Sequence, residues 1–131
     1  LLGYNTRRAA LTIISRFMER TAAYDLRPVD FSVLSLIGHN PGITSRQLCS
    51  ALGILPPNLV GIINSFERRS LVVRRPHPND GRAQGLHMTP TGDALMLQAE
   101  ATASALEQDV ATKLSNAEQK NLMKLLQKIY L

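Results

Sequence analysis

Apolar residues recur along this chain with two different periods, and the change of period divides it into elements. Leu11, Ile14, Phe17 and Met18 fall at helical spacing and predict a first helix from about Asn5 to Tyr24. Pro28 suits the first turn of a second helix, which carries Phe31, Leu34 and Ile37 on one side. That helix runs into the breaker cluster Gly38-His39-Asn40-Pro41-Gly42. Thr44 and Gln47 have capping-box spacing ahead of a short third helix through Leu48, Cys49, Ala51 and Leu52, which Gly53 stops. Pro56-Pro57 opens a fourth helix whose inward face is Leu59, Ile62, Ile63 and Phe66.

The period then shortens. Leu71-Val72-Val73-Arg74-Arg75 reads as a strand, the loop after it holds the turn signal Asp80-Gly81, and Gly85-Leu86-His87-Met88 reads as the return strand. Thr89-Pro90 starts a long fifth helix, with Leu95, Ala99, Thr102, Leu106 and Val110 spaced along it to about Lys113. Ser115 and Glu118 make a second capping box, and the last helix carries Leu122, Leu125, Leu126 and Ile129 on one stripe. The expected fold is mainly α with a small β-hairpin wing: a winged helix-turn-helix with flanking helices. Residues 1–131 read as one domain, with a winged lobe over 28–90 and flanking helices over 1–24 and 91–131. No repeat or Gly/Ser linker interrupts it.

Charge sharpens this picture. The net charge is +5, and Arg supplies the excess: residues 60–90 hold five Arg against two acids, whereas residues 91–131 hold four Lys against five acids. Arg forks phosphates and guanine edges bidentately, so the bias points to double-stranded DNA as a partner. A helix beside an arginine-bearing hairpin suits a duplex, because the helix can enter the major groove while the hairpin reaches an adjacent groove or the phosphates. No apolar run is long enough to span a bilayer, and no membrane partner is expected.

Cys49 is the single cysteine, which fits a reducing cytoplasm; it reads as a small buried hydrophobe, with redox sensing as the alternative. His39, His77 and His87 fall on different elements without ligand spacing, so no metal is expected. No Gly-rich phosphate loop or nucleophile motif is present, so neither an enzyme nor a cofactor is expected.

The outward positions of the fourth helix are Asn58, Gly61, Asn64, Ser65 and Arg68. Asn58 and Asn64 can bond adenine bidentately, and Arg68 can bond guanine or phosphate. For Asn58, local capping just after two prolines is an equal explanation. Ser45 and Arg46 are expected at backbone phosphates, with an exposed polar helix start as the duller reading. Arg74, Arg75 and Arg82 make the hairpin basic. The stripes of the outer helices, including Leu11, Ile14, Leu122, Leu125, Leu126 and Ile129, exceed what a DNA-reading unit needs for itself. A homodimer is therefore expected, with an intrachain helical core as the alternative; it would set two reading helices about 34 Å apart on consecutive turns of DNA.

Three spaced motifs resemble the MarR family of bacterial transcription regulators. Phe66-Glu67-Arg68-Arg69-Ser70-Leu71-Val72-Val73-Arg74 is similar to the family's passage from recognition helix to wing. Asp80-Gly81-Arg82 stands at the place of its wing tip, and Leu86-His87-Met88-Thr89-Pro90-Thr91-Gly92 is similar to its exit from the wing. The resemblance implies a homodimeric regulator, a repressor rather than an activator, on a pseudo-palindromic operator. It implies that Arg82 enters the minor groove while Asp80 holds its guanidinium or shapes the turn. It also implies a small aromatic or phenolic ligand near Phe17, Tyr24 and Phe31, which fit ordinary core positions equally well. The chain departs from the family at Ser70, where Gly is usual, and at Gly81, where the first wing-tip Arg is usual. Gly61 and Pro56-Pro57 replace polar residues of the reading helix. These departures keep open an alternative, a winged-helix protein-interaction module that no longer binds DNA.

Overall fold

The computed structural model describes residues 1–131 apart from the side chain of Asp80. Helix α1 (Leu2–Thr21) runs through a 3-10 turn (Ala22–Tyr24) to α2 (Pro28–His39). A short strand β1 (Ile43–Thr44) leads into α3 (Ser45–Leu52) and α4 (Pro56–Arg68). The hairpin β2 (Val72–His77) and β3 (Asp80–Met88) follows, then α5 (Pro90–Val110) and α6 (Asn116–Tyr130). This is a winged helix-turn-helix with long outer helices.

The core lies where α2, α3, α4 and the hairpin meet. Leu34, Ile37, Leu48, Leu59, Ile63, Phe66, Val72 and Leu86 are almost completely buried there, and α5 adds Met96 and Ala99. The stripe read on α4 is therefore a buried face, as are Leu34 and Ile37 of α2, whereas the stripes read on α1 and α6 are largely exposed. Both capping boxes form: Thr44 Oγ1 accepts from the Gln47 amide at 3.2 Å, and Ser115 Oγ accepts from the Glu118 amide at 3.2 Å. A further tie precedes α2, where the Asp30 carboxylate accepts from the Arg27 backbone amide at 2.9 Å and from the Arg27 guanidinium.

The structure corrects several boundaries. The first helix stops at Thr21, whose buried hydroxyl donates to the Phe17 carbonyl at 2.8 Å and marks the bend into the 3-10 turn. The fifth helix stops at Val110 rather than near Lys113. The wing turn falls at Pro78-Asn79, two residues before Asp80-Gly81, since proline presets the φ that a turn needs. Strand β1 was not foreseen, because two residues carry no period. It pairs with β3 through Ile43↔Leu86 and Thr44↔Gly85, making a three-stranded sheet of order β1-β3-β2. Close approach makes glycine necessary at position 85, where a Cβ would lie 2.9 Å from the Gly42 carbonyl oxygen.

One junction fixes how α4, the wing and α5 meet. Thr89 caps α5, accepting from the Gly92 amide at 3.0 Å, while its hydroxyl donates to the Ser70 carbonyl at 2.5 Å. The Thr89 amide donates to the Leu71 carbonyl at 3.0 Å. A Cβ on Gly92 would lie 2.1 Å from that same oxygen, so only glycine lets α5 start this close to the strand.

Candidate nucleic-acid interface

Helices α3 and α4 meet at 118° across the turn that begins at Gly53, which takes the left-handed conformation at φ 63°. That angle suits a helix-turn-helix. The pairing of β1 with β3 bolts the start of α3 to the base of the wing, so Thr44, Ser45 and Arg46 stand beside the hairpin. Between them lies an open groove of about 750 Å³, lined by Thr44, Arg46, Arg74, His77, Arg82 and Gln84 among others. No carboxylate occurs among its described lining residues. Arginines and the positive end of a helix line one concavity, which suits an anion.

The hairpin register explains where Arg82 sits. Pairing jumps from Pro76↔Gln84 to His77↔Asp80, an irregularity that places Gly81, Arg82 and Ala83 in a bulge of β3. Bulges of this kind re-aim a side chain out of the ladder. Arg82 is exposed and lies at the middle of the bulge. The proposed partner role of Asp80 lies outside the described residues.

Arg74 is held rather than loose. Its Nε donates to Glu67 Oε1 at 2.8 Å, and its Nη2 lies 3.4 Å from Asn64 Oδ1. The expected reading residues Asn58, Gly61, Asn64 and Arg68 are all exposed on α4. Ser65 is half-buried. The N-cap of α4 is Leu55, without a side-chain cap, so Asn58 is not consumed by capping. Ser45, Arg46 and Arg75 are exposed as well.

Two residues of this face, Glu67 and Val60, and the neighbouring Arg69 escaped the sequence reading. Glu67 holds Arg74, and only the fold brings them together across the turn between α4 and β2. Val60, assigned to neither face by the sequence, stands out from α4 with 53% of its surface exposed. Arg69, beside Arg68 in sequence, faces the other way and donates to the Tyr24 and Asp25 carbonyls at 2.7 and 2.8 Å. It closes the turn after α1 and takes no part in the basic groove.

The outer helices present the opposite chemistry. Every residue of α6 except Gln119 is exposed, including Leu122, Leu125, Leu126 and Ile129. On α1, only Phe17 and Thr21 are buried, while Leu11 and Ile14 are exposed with Ile13 and Met18. At the junction of α1, α2 and α5, the Phe17 and Phe31 rings meet edge to face at 5.1 Å. The Tyr24 hydroxyl and Thr102 Oγ1 share a hydrogen bond of 2.9 Å nearby. An Arg20–Asp109 ion pair and a His39–Glu100 hydrogen bond of 2.8 Å add links from α1 and α2 to α5. Cys49 is half-buried.

Among the described residues no group of three His, Cys, Asp or Glu gathers, and no single helix is long and apolar enough to cross a membrane.

Known proteins share this arrangement. Residues 24–83 match the model of the MarR family. A Thauera aromatica protein described as a transcriptional regulatory protein for the hcr operon is 31% identical over 130 residues, covering 98% of this chain and 78% of that protein. The structure of the transcriptional repressor CouR bound to a 23-mer DNA duplex superposes with a TM-score of 0.92 at 33% identity, covering 100% of this chain and 93% of the other. BpsR of Bordetella bronchiseptica, solved in work on regulation of its DNA binding by 6-hydroxynicotinic acid, shares the fold with a TM-score of 0.88 at 24% identity, covering 98% and 92%.

Proposed function

The chain belongs to the MarR family of transcription regulators, and on that premise we propose that it is a homodimeric, DNA-binding repressor acting on a pseudo-palindromic operator. The observation that carries this reading is the groove between the start of α3 and the wing, where Arg46, Arg74 and Arg82 converge beside the exposed side of α4. Ser45, Arg46, Arg75 and Arg82 hold phosphates or the minor groove, and Asn58, Asn64 and Arg68 meet base edges. Asp80 takes part at the wing tip as the partner of Arg82. The protein works in the cytoplasm, with neither catalysis nor a cofactor.

Two copies join through α1 and α6, whose Leu11, Ile14, Leu122, Leu125, Leu126 and Ile129 are exposed in the single chain. Because α5 links those helices to the wing through Thr89, a change in how the copies sit moves the reading helices apart. A small aromatic effector beside Phe17, Tyr24 and Phe31 releases DNA in this way, provided it binds the released state more tightly than the bound one.

The test is a duplex-binding titration over a range of salt, with the solution mass measured in parallel. A repressor of this design is a dimer at micromolar concentration and loses affinity steeply as salt rises. The alternative, a winged-helix protein-interaction module, retains no duplex even at low salt.

A further inference from the structure

From Gln47 to Phe66 the chain carries no charged residue. The exposed positions of α4 before Glu67 are therefore neutral: Pro56, Pro57, Asn58, Val60, Gly61 and Asn64. Val60 and Asn64, four residues apart, share one side of the helix. Asn64 lies against Arg74, which lines the basic groove, so this neutral strip adjoins the groove on its wing side. Arg68 borders it at the end of α4.

Base pairs differ in what they ask of such a strip. Guanine is read best by the fork of Arg or Lys, and cytosine by a carboxylate; neither type stands here. An A·T pair presents N6 and N7 of adenine, which suit an Asn amide, and the 5-methyl of thymine, which suits an apolar side chain. Position 61 adds to this. A Cβ on Gly61 would meet nothing within 4 Å, so packing within the chain does not require glycine. Its effect is to leave bare backbone beside Val60, which lets the helix sit closer to a groove floor.

Resting on the proposed DNA binding, we infer that α4 selects A·T base pairs, with the Val60 γ-methyls packed on thymine 5-methyl groups and Asn64 on the adenine edge. The occupant of this neutral strip is DNA because an arginine-lined groove adjoins it and no carboxylate is among that groove's described lining residues, Glu67 holding Arg74 from outside it. Val60 is thus a specificity-determining residue, and the core of each half-site is rich in A·T pairs.

The experiment uses the full chain. Duplexes retained at low salt are selected from a random pool, and each thymine of the recovered half-site is replaced by uracil, one at a time. Uracil keeps every hydrogen-bonding group and removes only the methyl. The expected result is A·T pairs at the positions under α4, and one thymine whose replacement costs roughly fourfold in affinity. Val60→Ala costs a similar factor on the thymine duplex and nothing further on the uracil duplex, because the two changes remove one contact. Val60 is exposed, so this variant melts with the parent protein.

Selected G·C pairs at those positions overturn the inference. So does indifference to uracil everywhere, or losses that add independently. If no duplex is retained at all, DNA binding itself falls and this inference falls with it. Retained duplexes with no methyl effect remove the inference alone.

Discussion

Glu67 Oε1 accepts a hydrogen bond from Arg74 Nε at 2.8 Å, so the last turn of α4 and the root of the wing are tied together. The pair is one-third exposed on each side, and its contribution to stability is at most about 1 kcal/mol. Its larger effect is electrostatic: it holds one acid on an otherwise basic face and occupies an arginine that phosphate would otherwise take. Glu67→Gln is expected to melt like the parent while binding duplexes of any sequence more tightly. The slope of log affinity against log salt should steepen by about 0.9, one more phosphate contact. An unchanged slope means Arg74 never faces phosphate.

Arg82 and Asn64 should fail in different ways. Arg82 sits on a bulge beyond the ladder, suited to phosphate or the minor groove. Arg82→Ala should weaken all duplexes alike and flatten the salt slope by about 0.9. Asn64 is neutral and lies on α4, so Asn64→Ala should leave the slope unchanged and relax base preference at one position of the half-site. Binding titrations on a panel of single-base variants separate the two behaviours.

The passage from α4 to β2 carries a conformational cost that can be removed. Ser70 has φ 58°, a left-handed conformation that disfavours any side chain. Its carbonyl accepts from Thr89, a bond made by backbone and therefore kept by glycine. Ser70→Gly should stabilise the fold by about 1 kcal/mol, raising the melting temperature by about 3–5 °C. Gly92→Ala should act in the reverse direction, because its Cβ would meet the Leu71 carbonyl at 2.1 Å. The cost should be at least about 3 kcal/mol, visible in thermal melts as loss of the cooperative transition or a large downward shift.

These junctions also show what was legible beforehand. Stripes such as Leu59, Ile62, Ile63 and Phe66 announce their helices, because burial demands a period and the period is local. Capping boxes at Thr44 and Ser115 are equally local, pairing a side chain with an amide three residues away. The β1–β3 pairing is not, since it joins Ile43 to Leu86 and depends on the whole lobe being folded. The same holds for the site. The exposed positions of α4 followed from its inward stripe, but the adjacent residues Arg68 and Arg69 looked alike until the fold turned Arg69 toward the Tyr24 carbonyl. Arg74 likewise read only as part of a basic hairpin until α4 brought Glu67 beside it. Val60 interrupts a run that continues apolar from Leu59, and hydropathy alone cannot tell an exposed valine from a buried one.

Dimerisation can be tested without touching the reading lobe. Ile129 lies on α6 with Leu122, Leu125 and Leu126, and all four are exposed within their own chain, Ile129 most of all at 62%. A charge placed there costs the single subunit almost nothing, because the position already faces water. Between two copies it must be desolvated without a partner, which disfavours the interface strongly. Ile129→Glu is therefore expected to halve the mass in sedimentation equilibrium at micromolar concentration. The winged lobe should stay folded, since its core at Leu34, Ile37, Leu48 and Phe66 makes no use of α6. Operator affinity should fall by about a hundredfold or more, because the second half-site would no longer be bound from a tethered copy. Affinity for a single half-site should not change. A variant that keeps the double mass would show that α6 is not the joining surface, and one that loses half-site binding as well would show that the lobe depends on it.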